Sequence, residues 1–357
     1  MAPGGNPIMF QPLSAGRMEK IRTRVTIQYA DLEAATPMTS PVVDPATPSE
    51  STQPLSSDGF DQHTHRLVLD DIWLNVTEWG SSAPDVTVIL SHGWTLSSRI
   101  WEDVAANIAK TDPRLRVITY DHRGHGASKR VSVATIEDLA DDLAALIDVL
   151  APEGPLVFGG HSMGGMTIMA LAERQPNLFA DRVGGVAFVA SSAGDLLEAI
   201  RTHRGSEQLL RIGLALMRRI RRPSRPLAIA RQSARSGFGA RPHRHDLNRI
   251  VWQSAQSHPR AVAALGASIL QHNRYQSLDA LRHHGINVVA MAGTRDRLTP
   301  PVHARRIVDC IPGSQVIVYP DAGHFLPYER RTDVAAHLLD LTAKARTHAS
   351  ASTEVTT

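Results

Sequence analysis

From residue 85 onward, short apolar runs alternate with amphipathic helical stretches, and this alternation constrains the fold of the 357-residue chain more tightly than any other feature. DVTVILSHG (Asp85–Gly93) is a continuous apolar run of the kind buried on both faces of a parallel sheet, and an amphipathic helix over Ile100–Lys110 follows it. The order then repeats: strand RVITYD (Arg116–Asp121), helix Thr135–Leu150, strand PLVFGG, helix Met163–Arg174 and strand VGGVAFVAS. Thr135 and Asp138 have the spacing of a capping box, which fixes the start of the second helix. Short loops between parallel strands require right-handed crossovers, so the expected fold is α/β, a doubly wound and mostly parallel sheet. Upstream, HRLVLDD and IWLNVTEW alternate as a hairpin with one solvated face.

The alternation stops at Ser192 and resumes at INVVAMAG (Ile286–Gly293), followed by helix Val302–Cys310, strand QVIVYP and a last helix from Thr332 to about Arg346. The intervening segment reads as helical. An insertion at the carboxyl end of a strand lies over the crevice where open α/β sheets bind ligands, so it is expected to form a cap or lid. The organisation read from the sequence is a disordered tail over 1–60, a first core part over 61–192, the cap over 193–284, a second core part over 285–346 and a flexible tail over 347–357. Residues 36–59 hold five prolines and no Lys or Arg, too little apolar surface to offset the entropy of ordering. IRTRVTIQY (Ile21–Tyr29) alternates as a short strand, but with no adjacent partner the sequence fits an unstructured segment equally well.

Composition narrows the function. With 38 Lys+Arg against 35 Asp+Glu the net charge is +3, which gives nucleic acid no electrostatic footprint. The single cysteine, Cys310, excludes an intramolecular disulfide or a Cys-rich metal site and suits a reducing compartment. No apolar run approaches the length of a membrane span. Pro, Gly and Asn interrupt residues 1–20, where a secretory leader needs a compact apolar stretch, so a cytoplasmic setting is expected.

PLVFGGHSMGGMTIMALAE carries the chemistry. Gly160-His161-Ser162-Met163-Gly164 is a G-x-S-x-G between an apolar strand and an amphipathic helix. A serine at so tight a turn needs Gly160 and Gly164 on either side, because larger Cβ groups collide as the chain reverses. The turn lifts the Ser162 hydroxyl to the carboxyl edge of the sheet, above a helix N-terminus that favours developing negative charge. Serine is a weak nucleophile until a histidine takes its proton and a carboxylate orients that histidine. His324 in PDAGHFLPYE follows the last strand, which brings its loop to the same edge. Asp296 in AGTRDRLTP lies between the two and gives the chain order Ser, Asp, His; Asp195, after the preceding strand, is the alternative acid. The backbone amides of Met163 and Trp94 are the candidate oxyanion donors, Gly93 letting the chain turn between His92 and Trp94. Asp121 and Arg123 of DHRGHG read as structural supports, and Asp321 as a loop cap or ion-pair partner.

Taken together, LSHGW, YDHRGHGAS, GGHSMGG, AGTRDRLTP and DAGHFLPYE resemble the α/β-hydrolase superfamily over about Arg66–Arg346. The resemblance implies a Ser-His-Asp hydrolase working through Ser162, His324 and Asp296, with Trp94 and Met163 in the oxyanion hole, no metal and no cofactor. Epoxide hydrolases and dehalogenases of similar layout carry aspartate at the elbow, where this chain has Ser162. The expected activity is cleavage of a small-molecule carboxylic ester through an acyl-enzyme. HGW followed by LSSRIWEDVA also resembles cofactor-free haloperoxidases and perhydrolases, which are the catalytic alternative; a non-catalytic receptor on the same fold is the other. Between 195 and 279 the chain has 15 arginines against five acids, and LLRIGLALMRRIRRP sets Leu209, Ile212, Leu216, Met217 and Ile220 opposite Arg211, Arg218 and Arg222. Such a helix either buries its apolar face on the core, the preferred reading, or makes peripheral contact with an anionic membrane. A preference for hydrophobic or lipid-derived acyl groups follows from either.

Overall fold

The computed structural model describes residues 25–28, 61–196 and 227–354. Nine strands form one sheet in the order β1-β2-β3-β5-β4-β6-β7-β8-β9. β1 (Val25–Gln28), β2 (Gln62–Leu69) and β3 (Ile72–Gly80) are antiparallel, and β3 also runs antiparallel to β5 (Leu115–Tyr120). From β5 onward the pairing is parallel, through β4 (Val86–Ser91), β6 (Leu156–His161), β7 (Val183–Val189), β8 (Asn287–Gly293) and β9 (Gln315–Tyr319). The partner that the sequence could not name for the first strand is β2, whose Leu69 lies opposite Val25 and whose Arg66 lies opposite Gln28.

Alternate residues of each central strand feed two separate cores. Ile89, Phe158, Val186 and Phe188 face one layer, built with α2 (Ile136–Leu150), α3 (Met163–Arg174), α4 (Pro176–Arg182), α8 (Leu278–His283) and α9 (Pro301–Cys310). Val88, Leu90, Val157, Ala187 and Val189 face the other, built with α1 (Glu102–Thr111) and α11 (Arg331–Glu354). This is the two-sided burial that the continuous apolar runs required. The capping box at Thr135 is formed: its hydroxyl accepts from Asp138 N at 3.2 Å, and Asp138 Oδ2 accepts from Thr135 N at 2.8 Å. The last helix runs past its expected end near Arg346 to Glu354, and the sequence beyond 346 contains no Gly or Pro to stop it. The Arg346 guanidinium holds Asp85 at 2.8 and 3.0 Å and Asp112 at 2.7 Å, tying α11 to the loop before β4 and the loop after α1.

Between β7 and β8, the described part of the insert is helical: α5 (Leu227–Arg235), α6 (Arg244–Gln256), α7 (Pro259–Gln271) and α8. The proline-rich stretch 36–59 and the arginine-rich stretch 209–222 lie outside the described residues. No helix among the described residues is long and apolar enough to cross a membrane.

The chain leaves β4 for β5 on one side and returns to β6 on the other. Strand order therefore reverses at β4, and the loops after β4 and β6 part there to open a crevice. Leu338 of α11 is fully buried beneath that point, where it and Leu90 crowd Gly159: a Cβ there would lie 2.6 Å from the Leu90 side chain and 3.2 Å from that of Leu338. Leu338→Ala is expected to lower unfolding free energy by about 2–5 kcal/mol, read as a reduced urea midpoint with an unchanged slope.

Candidate active site

At the end of β6 the chain turns through Ser162 at φ 52° and ψ −117°, a conformation that an L-residue adopts only when its surroundings impose it. Ser162 N donates to Val189 O at 2.9 Å, and Gly165 N donates back to Ser162 O at 2.9 Å, so the turn closes on itself and on β7. The flanking glycines answer to steric demands. A Cβ on Gly160 would lie 2.5 Å from the Gly165 backbone, and one on Gly164 would overlap the Ser91 carbonyl. Gly165 is under the same constraint, since a Cβ there would overlap the Ser191 hydroxyl; with no backbone in view, the sequence offered no sign of it.

His324 is buried in the loop after β9. Its Nδ1 donates to Asp296 Oδ2 at 2.8 Å, which leaves Nε2 as the ring's lone-pair nitrogen. The Asp296 carboxylate, itself buried, also accepts from Leu298 N at 2.8 Å, Thr299 N at 3.0 Å and Thr299 Oγ1 at 2.8 Å. Burial acts to raise its pKa, but His324 and the Thr299 donors outweigh burial and hold it below the ordinary carboxylate value. Asp195 lies elsewhere: it is exposed, sits at φ 59° and faces Arg306 at 3.8 Å. Asp321 pairs with Arg295 at 2.8 Å.

Ser162 and His324 are neighbours through His161. The His161 ring lies 4.9 Å from that of His324, and its Nε2 donates to the His324 carbonyl at 2.9 Å. Burial, and next the proximity of His324, lowers the His161 pKa to about 3, so the ring is neutral. Among the described residues no hydrogen bond joins the Ser162 hydroxyl to His324.

Gly93 presses against the same corner, a Cβ there falling 2.6 Å from His161 Nδ1 and 3.2 Å from Ser162 Cβ. Trp94 follows immediately, and its indole donates to Val262 O of α7 at 2.8 Å, anchoring the insert on this loop. Beneath lies a set of buried histidines whose tautomers are dictated by backbone groups. His92 Nε2 accepts from His122 N at 2.9 Å while its Nδ1 donates to Gly93 O at 2.8 Å. His125 Nε2 accepts from Thr95 N at 3.2 Å. Burial lowers the pKa of His92 to about 4 and that of His122 well below the usual imidazole value, so both stay neutral. Asp121 takes Ser98 N at 2.7 Å and Ala127 N at 2.9 Å, and Arg123 holds Asp142 at 2.7 and 2.5 Å. Asp121 and Arg123 thus brace the loops. His92, His122 and His125 share that task, and it emerged only once the two loops were brought together.

The family described as alpha/beta hydrolase fold matches residues 86–330. A 2-(acetamidomethylene)succinate hydrolase of Mesorhizobium japonicum is 28% identical over 278 residues, covering 76% of this chain and 91% of that protein. A monoacylglycerol lipase of Mycolicibacterium smegmatis is 26% identical, covering 72% and 85%. The structure of a thermophilic esterase from Thermogutta terrifontis superposes with a TM-score of 0.63 at 27% identity, over 77% of this chain and 94% of the other.

Because the folded-state pKa of Asp296 is depressed, its carboxylate stabilises the protein above the unfolded value of about 3.9, and that contribution is lost as pH falls through the lower folded value. Thermal melts of wild type and Asp296→Asn should therefore differ most near pH 6–7 and converge on acidification. A gap that widened toward pH 3 would contradict the assignment.

Proposed function

Because the chain belongs to the alpha/beta hydrolase fold family, we propose that it is a serine hydrolase of carboxylic esters in which Ser162 is the nucleophile, His324 the general base and Asp296 the orienting acid. The observation that carries this reading is the hydrogen bond between His324 and Asp296 on one edge of the sheet, where the strained elbow presents Ser162. Asp296 fixes the imidazole tautomer so that Nε2 can accept the serine proton as the hydroxyl attacks an ester carbonyl. The oxyanion that forms is met by the amides of Met163, at the first turn of α3, and Trp94. His324 returns the proton to the departing alcohol, and a water activated by the same imidazole releases the acyl group.

The relatives support ester cleavage in general, from a lipase to an esterase. The finer reading is a preference for hydrophobic acyl groups. It rests on the apolar positions of the 209–220 segment and on the aromatic wall that Phe238 and Phe325 make beside His324, with ring centroids 4.8 and 5.7 Å apart along that row.

Ser162→Ala and His324→Ala should each lower kcat by roughly 10⁴–10⁶-fold with the melting transition retained, and a fluorophosphonate probe should label wild type on Ser162 only. Asp296→Asn should be more damaging than Asp195→Asn. Across p-nitrophenyl esters, kcat/KM should rise from acetyl toward longer chains; a maximum at acetyl with a steep fall beyond it would sink the acyl preference and leave the triad standing.

A further inference from the structure

The insert is bonded to the loop that carries His324 along a short stretch of backbone. Between α5 and α6, His324 N donates to Gly237 O at 2.7 Å and Ala240 N donates to Asp321 O at 2.9 Å. Glu329 closes the contact. It ends α10 (Leu326–Glu329), a single turn after His324, and its Oε2 accepts from Gly239 N of the insert at 2.7 Å. The same carboxylate accepts from Gly323 N, the residue before His324, at 3.0 and 3.1 Å. One side chain thus gathers an amide from each of two segments more than 80 residues apart in sequence.

Steric fit makes the contact specific. A Cβ on Gly237 would lie 2.6 Å from the Phe325 ring, one on Gly239 would overlap the Asp321 carbonyl, and one on Gly323 would lie 2.5 Å from Gly239 N. Three glycines therefore let two backbones meet without intervening side chains, and only a longer side chain reaching in from beyond the loop can satisfy the two amides left between them. A second strut runs in parallel. Gln253 of α6 is buried, accepts from Ser97 N at 3.1 Å below the Trp94 loop and donates to Tyr328 OH at 2.8 Å, next to Glu329.

We propose that Glu329 is a positioning residue that docks the insert onto the His324 loop, so that the imidazole keeps its place only while residues 236–240 are seated. This rests on the reading of His324 as general base. Its action is on placement of the base, so loss of the carboxylate affects turnover more than substrate binding. Glutamine keeps an acceptor oxygen at the same reach, whereas alanine leaves both amides buried and unmet.

The test uses the full chain with Glu329→Ala, Glu329→Gln and Gly239→Ala, the last wedging the two backbones apart without touching Glu329. Amide hydrogen exchange of 236–240 and 321–325, read by mass spectrometry, is set beside kcat and KM for p-nitrophenyl butyrate. In Glu329→Ala and Gly239→Ala, exchange should rise in both segments together while β4, β6 and β7 stay protected. kcat should fall roughly 10–100-fold with KM little changed. Glu329→Gln should recover most of both properties. Unchanged exchange at 236–240 in Glu329→Ala, or raised exchange with full kcat, overturns the proposal. If Glu329→Ala fails to fold, Gly239→Ala decides by the same readings. Absence of ester turnover in wild type overturns the hydrolase reading alone, and the paired rise in exchange then still decides whether Glu329 docks the insert.

Discussion

Everything at this site depends on the close approach of the first turn of α3 to the end of β4. Gly164 lies so near the Ser91 carbonyl that no side chain fits, and that proximity holds Ser162 at positive φ. Strain of this kind costs on the order of 1–3 kcal/mol and persists only where the surroundings over-determine it. Here they do. Ser162 N and O are both bonded, Ser191 Oγ adds a donor to Ser162 O at 2.8 Å, and two packed cores clamp the sheet from either side. The position of the half-buried Ser162 side chain is thus a product of backbone packing.

The electrostatics around the elbow divide in two. Asp296 is a buried carboxylate kept ionised by four hydrogen-bond donors, while His92, His122 and His161 are buried imidazoles kept neutral by loss of solvent. The neutral rings serve as fixed hydrogen-bonding struts: His92 bonds backbone through both nitrogens, and His122 and His161 each reach a backbone carbonyl through Nε2. His324 differs from these rings in that its Nδ1 meets a carboxylate, Asp296 Oδ2 at 2.8 Å.

The positive-φ turn at Ser162 and the meeting of Asp296 with His324 rest on features visible in the sequence because each obeys a local rule. Gly160 and Gly164 flank a strand-to-helix serine, and Asp296 and His324 end consecutive strand–loop units in the expected chain order. What escaped the sequence is long-range. The tautomers of His92 and His125 are set by residues about 30 positions away, Gln253 bonds groups 75 and 156 residues distant, and Glu329 reaches Gly239 across 90. No periodicity or motif encodes such pairs, since each depends on how two loops happen to meet. The last helix outruns its expected end near Arg346 for a related reason: its final turns carry no pattern of apolar residues, and only the absence of a breaker lets it continue.

The antiparallel margin of the sheet has a bearing on solubility. β2 is eight residues long and one of its sides would otherwise offer a full row of unsatisfied amides and carbonyls to any passing chain. β1, four residues drawn from a segment more than 30 positions upstream, covers half of that row. A version of the chain trimmed to begin at residue 61 would retain every group around Ser162 and yet carry a long, bare β-edge, the feature through which folded proteins most readily add to one another.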